Sequence, residues 1–453
     1  MLYLTTCCQT VGKQLKCIIK PFSKLSTCGL KPKVNKKASK LDLQNINTCD
    51  TMMSTCCIQV SNKCDLIEKG VGMVDFVTNR QVLLGEGAIL EIPNVLRWYG
   101  KNNVLLAAYS ADAPAVKTVC EALEKAGAKV VVYDKIVKEP DLAVIDEGTD
   151  ICISSKCDSV VAIGGGSVLD AAKTISMMAV NGGRTVDYQL GGKSIEKPPL
   201  LFVAVPTTAG TGAEATKVSV VYNPEKGFKK ALYHTSMIAE VAVLDPNVTI
   251  SLPPRVTAAT GMDALTHAIE SYTSVFAHDI SRMYSLRAVE LISHSLLKAY
   301  KNPDDIQART DMLLGSYFAG CAITVGTCLA HIVGQPVGAI LNIPHGDSCS
   351  IFLVPSIRLN MDAATSQYAD IAKALGVKPG DKNERQLAES GVHALEKLCT
   401  DLECPSKLTD YVSVDKIDVN YILDNIQTSM SHIKTNPRPV SRELFEELLR
   451  AVL

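Results

Sequence analysis

Between residues 74 and 245, short β-branched apolar runs alternate with helical stretches, and this rhythm constrains the fold more than any other feature of the chain. Residues 103–109 (NVLLAAY) read as a buried strand and 113–126 as a helix closed by Gly127. Lys129–Tyr133 (KVVVY) is the next strand, followed by 159–163 (SVVAI) and 201–205 (LFVAV). Strand, helix, strand in this order requires right-handed crossovers and a parallel sheet. After Pro253 and Pro254 the β-branched runs fade, and residues 256–275, 281–300, 306–319 and 442–453 are expected to be helical. The fold class that follows is an α/β domain with a Rossmann-like parallel sheet over residues 73–249. An all-helical domain over 250–453 comes next, with a ligand crevice between the two.

Residues 1–72 stand apart. The first 40 residues hold nine lysines and no acidic residue, and eight of the sixteen cysteines fall before residue 65. Pro21 stops any helix through Lys13, Lys16 and Lys20. A basic, acid-free start is the pattern of an organellar transit peptide, although arginine is absent up to Arg80. A disordered tail is the plainer alternative. No C-x-x-C pair is present, so a zinc ribbon or thioredoxin-like motif is not expected. A chain of 453 residues needs no disulfide scaffold, so reduced thiols and an intracellular place, cytoplasmic or a mitochondrial-type organelle, are expected. With 46 basic and 47 acidic side chains, no overall basic field exists for nucleic acid or an anionic membrane. No apolar run reaches the roughly 18–20 residues that span a bilayer.

Gly164, Gly165, Gly166 and Ser167 follow directly on the SVVAI strand and open a helix, VLDAAKTISMMAV. Glycines at a helix N-terminus let backbone N–H groups approach a phosphate, whose charge the helix dipole favours. The segment lacks the G-x-G-x-x-G spacing, so a tight turn without a ligand is the rival reading. A second polar loop, Pro206-Thr207-Thr208-Ala209-Gly210-Thr211-Gly212, leaves the next strand. Parallel neighbours open such loops onto one sheet edge, where a dinucleotide binds; ordinary capping threonines are the alternative. In the helical half, Asp263 and His267 are i and i+4 in GMDALTHAIE, and a helix puts both on one face. His331 (CLAHIVG) and His345 (IPHGD) follow. One carboxylate and three imidazoles suit a divalent first-row metal such as Fe(II), Zn or Mn. A helix-surface Asp/His pair would have the same spacing.

At these residues the sequence resembles the iron-containing (group III) alcohol dehydrogenase family. Residues 244–272 (LDPNVTISLPPRVTAATGMDALTHAIESY) and 329–346 (LAHIVGQPVGAILNIPHG) are similar to its two signatures. GGGSVLDAAK and VPTTAGTGAEAT are similar to its cofactor loops. The resemblance runs from about residue 74 to the C-terminus. It implies metal ligands Asp263, His267, His331 and His345, with catalysis through that metal. It also implies a pyrophosphate site on Gly164, Gly165, Gly166 and Ser167 with Asp170 nearby. Thr207, Thr208 and Thr211 would line the cofactor, and Lys229 matches a family lysine on the same cleft. The implied activity is hydride transfer between NAD(P) and a small, polar, non-aromatic alcohol or carbonyl, with Fe(II) as the expected ion. A homo-oligomer, dimer or larger, is expected.

Two departures stand out. Gln335 occupies the position one turn after His331 where the family often has a second histidine, and glutamine cannot relay a proton by titrating. Ile323-Thr324-Val325-Gly326 replaces an asparagine-containing stretch near the expected substrate pocket. NAD is expected over NADP, because Asp112 follows the first strand where an acid repels a 2′-phosphate; a helix N-cap is its alternative role. The rival functions are a hydroxyacid–oxoacid transhydrogenase on the same scaffold and, further off, a dehydroquinate synthase-like lyase.

Overall fold

The computed structural model describes residues 73–453 except 138, 190–191, 226–227 and 429–433. The basic, cysteine-rich extension expected over residues 1–72 therefore lies outside the described residues. The first half supplies strands β1 (Gln81–Leu84), β2 (Asn103–Ala108), β3 (Lys129–Tyr133), β4 (Ser159–Gly164), β5 (Leu201–Pro206) and β8 (Val241–Leu244) to one sheet, with β6 (Val218–Asn223) and β7 (Phe228–Tyr233) forming a separate hairpin. Helices α1 (Ile92–Trp98), α2 (Pro114–Lys125), α3 (Leu142–Ser154) and α4 (Gly166–Asn181) lie between the strands. The second half holds α5 (Pro254–Thr273), α6 (Asp279–Lys301), α7 (Ile306–Ala322), α8 (Leu329–Leu341), α9 (His345–Asn360), α10 (Thr365–Ala374), α11 (Glu384–Asp401), α12 (Val419–Thr428) and α13 (Arg442–Arg450). An α/β half followed by a helical half is thus the observed architecture, and Val74–Leu453 forms one compact unit.

The six-stranded sheet is parallel throughout, in the order β1-β8-β5-β4-β2-β3. Its two faces follow from side-chain alternation. Leu105, Ala107, Val160, Ala162, Phe202 and Ala204 pack with α3 and α4 on one side. Val104, Leu106, Val161, Ile163, Val203 and Val205 pack with α1 and α2 on the other. Covering both faces makes the inner strands continuously apolar, which is why β2, β4 and β5 read so clearly. The chain runs from β2 out to β3 and then crosses back to β4 on the far side of β2. The strand order therefore reverses between β2 and β4, and the crevice beyond the carboxyl ends of these strands is where open α/β sheets bind ligands.

Helix α5 is the axis of the second half. From Gly261 to Thr273 every residue is buried, so over this stretch the helix has no solvent face. Gly261 permits the fit: a Cβ there would stand 2.3 Å from Leu296 of α6 and 2.9 Å from Met312 of α7. Polar groups carried by so enclosed a helix must find partners inside the protein or hold a ligand. Among the described residues no single helix is long and apolar enough to cross a membrane.

Candidate active site

The two Gly/Thr loops meet at the reversal point. β4 and β5 end in register, Gly164 opposite Pro206, so the loops that follow leave the same edge side by side. Thr207 N donates to Gly164 O at 2.9 Å. A Cβ on Gly166 would come within 2.8 Å of Thr211, so this glycine is what lets the second loop close over the first. Gly165 is the N-cap of α4 and has no side chain to cap the helix. The first N–H groups of a sixteen-residue helix thus face the crevice at the positive end of its dipole, a setting for a phosphate. Gly212, at φ 59°, docks this second loop on α7, where a Cβ would meet Ser316 O at 2.6 Å and Gly320 Cα at 2.7 Å.

The other cofactor candidates are placed differently. Asp170 is turned toward the hairpin: its Oδ2 accepts from Val220 N at 2.9 Å, and its Oδ1 lies 3.5 Å from Lys173 Nζ. Lys229 is on β7 and pairs with Glu139 at 2.5 Å, a residue of neither Gly/Thr loop. Asp112 does not cap α2. The N-cap is Ala113, without a side-chain bond, and Asp112 pairs with Lys117 at 2.8 Å.

Lys173, at the end of GGGSVLDAAK, escaped notice in the sequence and is the pin of this region. It is fully buried, and its ammonium donates to Ala213 O, Thr216 O, Thr216 Oγ1 and Val218 O at 2.7–3.1 Å. It therefore ties the segment after the second loop to the helix that opens from the first. Nearby Glu214 is also buried, and burial pushes its carboxyl up to about 7. The folded state then keeps a proton that the unfolded chain releases near pH 4.5, so stability falls as pH rises from about 4.5 to 7 and levels off above. Glu214→Gln is expected to remove a loss on the order of 2–3 kcal/mol across that window. Urea unfolding at pH 5 and 7.5, wild type against variant, measures it.

The second cluster stands on α5, α8 and α9. Asp263 and His267 lie one turn apart on α5. His331 is in the first turn of α8, and His345 is the first residue of α9. Asn342, in the left-handed region at φ 55°, ends α8 and turns the chain back into α9. Gly346 then allows α9 to touch α5, because a Cβ there would sit 2.3 Å from Ala259 O. That contact brings His345 to Asp263. The Nε2 atoms of His331 and His345 are each 3.4 Å from Asp263 Oδ1, and that of His267 is 4.0 Å away. The rings of His267 and His331 stack at 4.4 Å.

The donor set fits a metal ion. Two nitrogen or oxygen donors about 2.0–2.1 Å from one tetrahedral ion stand roughly 3.3–3.4 Å apart, the spacing seen for two of the three pairs. Asp263 Oδ1 and His331 Nε2 are buried with no hydrogen-bond partner, although they face each other. Buried atoms of this kind are costly unless something between them bonds both. The groups perturb one another strongly, and His331 and His345 are both raised, so a metal would displace a proton from each. Burial pushes Asp263 up, but the surrounding imidazoles outweigh it and hold the carboxyl well below the usual range. Burial pushes His267 down to about 3, leaving it neutral and free to donate a lone pair. His345 is raised to about 9, first by Cys349 and then, against burial, by Asp263. Its side chain is 39% exposed while those of Asp263, His267 and His331 are 4–7% exposed, so the cluster opens on the His345 side.

Glu270 is a site residue that went unread, though DALTHAIE places it one turn beyond His267 on the same helix. Its Oε1 accepts from Ala330 N at 2.6 Å, and its Oε2 accepts from His331 Nδ1 at 2.7 Å. A carboxylate only accepts, so it fixes the proton on Nδ1 and reserves Nε2, which faces Asp263, as the atom a metal would take. Glu270→Gln would present an NH2 donor to Nδ1 and favour the other tautomer, with Nε2 protonated. A loss of roughly 10–100-fold in metal affinity is expected, read by competition with a chromophoric chelator. The two departures noted in the sequence are visible too. Gln335 is exposed on α8, and Ile323–Val325 forms a single 3-10 turn before α8.

Comparison with known proteins agrees with this geometry. Residues 79–246 match a family described as iron-containing alcohol dehydrogenase, and residues 257–453 match the C-terminal part of the Fe-containing alcohol dehydrogenase family. The chain is 32% identical to an NAD-dependent methanol dehydrogenase of Bacillus methanolicus, over 84% of this chain and 100% of that enzyme. It is also 32% identical to lactaldehyde reductase of Escherichia coli, over 82% of this chain and 97% of that one. Among solved structures, a 1,3-propanediol oxidoreductase superposes with a TM-score of 0.81 at 28% identity, covering 84% of this chain and 100% of that one.

Proposed function

This chain belongs to the iron-containing alcohol dehydrogenase family, and from that premise we propose that it interconverts short aldehydes and alcohols with NAD and an Fe(II) ion held by Asp263, His267, His331 and His345. One observation carries the reading: three imidazole nitrogens converge on a single buried, unpartnered carboxylate oxygen, in a chain whose sheet reversal point carries a phosphate cradle. Its class is that of oxidoreductases acting on CH–OH donors, as the relatives' names indicate.

The bound ion supplies Lewis acidity, which polarises a substrate carbonyl or lowers the pKa of an alcohol. Everything else falls to the chain. Gly165, Gly166 and Ser167 offer backbone N–H groups to the cofactor's pyrophosphate, and Thr207, Thr208 and Thr211 close over it. Glu270 holds His331 in its donating tautomer. Burial of α5 keeps water from all but the His345 side, so the substrate enters there and is aligned between the cluster and the nicotinamide. Gln335 cannot titrate, so the proton is exchanged through water or the cofactor ribose. NAD is favoured over NADP by the methanol dehydrogenase relative and by the exposed carboxylate of Asp112 beyond the end of β2, which a 2′-phosphate would meet.

The test is steady-state reduction of a panel of short aldehydes and 2-oxo acids with NADH and NADPH under anaerobic conditions. NADH turnover on short aldehydes with kcat/KM at least about tenfold above NADPH is expected, a difference of about 1.4 kcal/mol. Equal or better use of NADPH would contradict the cofactor assignment, and no turnover with any aldehyde would contradict the activity.

A further inference from the structure

Cys349 lies against the candidate metal cluster and has no part in the function so far described. It is the fifth residue of α9, one turn after His345 on the same face, and it is fully buried. Its Sγ is 3.7 Å from His345 Nε2 and 3.8 Å from His345 Nδ1. Donor atoms of Asp263, His331, His345 and Cys349 all lie within 4.8 Å of one another. The close approach has a cause in the backbone. Gly334, three residues after His331, presses α8 onto α9, and a Cβ there would stand 3.4 Å from Cys349 Cα. The same Cβ would touch Phe352 and Ser348 O at 3.4 Å, ordinary contact distance, so α8 and α9 are closely packed beside the thiol.

Magnitudes decide whether this is mere proximity. A sulfur about 2.3 Å and a nitrogen about 2.0–2.1 Å from the same tetrahedral ion are roughly 3.6 Å apart. Cys349 Sγ and His345 Nε2 stand 3.7 Å apart. His267 Nε2, by contrast, is 4.0 Å from Asp263 Oδ1 where roughly 3.4 Å is wanted. The thiol thus meets the spacing of ligation toward His345, and it lies within 4.8 Å of the donor atoms of Asp263 and His331. Asp263 Oδ1 and His331 Nε2, buried and unpartnered, face the same small volume.

We propose that Cys349 is an additional ligand of the metal, so that the centre offers aspartate, three histidines and a thiolate. This rests on the reading of Asp263 and the histidines as a metal centre. The thiol proton passes to solvent as the sulfur–metal bond forms. A thiolate favours thiophilic ions, so the site selects Zn(II), Co(II) and Fe(II) over Mn(II) and Mg(II) more sharply than an aspartate–histidine set would.

The experiment loads the full-length protein, stripped of metal, with Co(II) under anaerobic conditions and compares wild type, Cys349→Ser, Cys349→Ala and Asp263→Ala. An intense near-ultraviolet thiolate-to-cobalt charge-transfer band is expected in the wild type and is absent from both Cys349 variants, which still bind one ion. Zn(II) affinity should fall at least about tenfold in these variants while Mn(II) affinity stays within about twofold, which places the loss on the sulfur. Should both variants misfold, X-ray absorption of the wild-type zinc protein decides, through a sulfur scatterer at about 2.3 Å. Cobalt bound in an Asp263-dependent manner with no thiolate band would overturn the Cys349 proposal and leave the centre standing. A band that persists in the Cys349 variants would overturn it equally. Absence of any Asp263-dependent cobalt would overturn the centre itself.

Discussion

Asp263→Ala is expected to lower kcat/KM for aldehyde reduction at least about a thousandfold, since Lewis-acid polarisation contributes several kcal/mol and each 1.36 kcal/mol is tenfold. Bound metal should fall with it, from one ion per chain to a small fraction of that. The reason is geometric. Asp263 Oδ1 is the point on which the three imidazoles converge, at 3.4, 3.4 and 4.0 Å. Without the carboxylate the cluster loses the oxygen that faces all three imidazoles and the charge that draws His331 and His345 together. The fold should survive, because alanine suits a helix interior and Asp263 Oδ1 makes no hydrogen bond that the substitution would break. Steady-state kinetics, elemental analysis and circular dichroism on the same preparation separate these outcomes. A variant that keeps both its metal and its turnover would show Asp263 to be structural.

Lys173→Met should have the largest effect on stability, roughly 3–5 kcal/mol, the scale of breaking a buried charge network. The substitution leaves Ala213 O, Thr216 O and Val218 O without their donor, and strands Asp170 and Glu214 in the interior without the neighbouring cation. Because the lysine ties the two halves of the cofactor cradle together, NADH affinity should fall even where the protein remains folded. Urea midpoints and NADH fluorescence titration measure the two effects independently. A change below about 0.5 kcal/mol, within the range of ordinary surface substitutions, would mean that the four hydrogen bonds do not pin the loop.

Much of the fold could be read from residue patterns for a physical reason. A parallel sheet covered on both faces needs continuously apolar strands, and NVLLAAY, SVVAI and LFVAV have that signature. The four helices of the second half that were given bounds, 256–275, 281–300, 306–319 and 442–453, begin and end within a few residues of them. The elements that stayed hidden are those whose sequences carry no strong period. β1 is a four-residue edge strand, largely exposed, and it pairs with β8 from about 160 residues away. The β6–β7 hairpin carries Lys230 and Tyr222 between its apolar residues and sits against Asp170, an anchor that only the folded chain reveals.

Asp263 and His267 were legible because helical spacing put them on one face, and His331 and His345 through the resemblance carried by residues 329–346. What spacing could not supply is convergence. Gly346 against Ala259 O, the left-handed turn at Asn342 and the Glu270–His331 bond close the site, and each depends on contacts distant in sequence. Lys173 was obscured because a lysine in an apolar helix ordinarily reads as its solvent face. Here the surrounding helix is buried from Ala171 to Met178, and the lysine is buried with it.

The central claim is that Asp263, His267, His331 and His345 hold one divalent ion on which turnover depends. The most direct measurement is an anaerobic NADH-dependent aldehyde assay of metal-stripped protein, with Fe(II), Zn(II) or Mn(II) returned singly to wild type and to an Asp263→Ala, His267→Ala double variant. Turnover restored at one equivalent of Fe(II) in the wild type and absent from the double variant is the predicted result. Equal turnover in both proteins would contradict the claim.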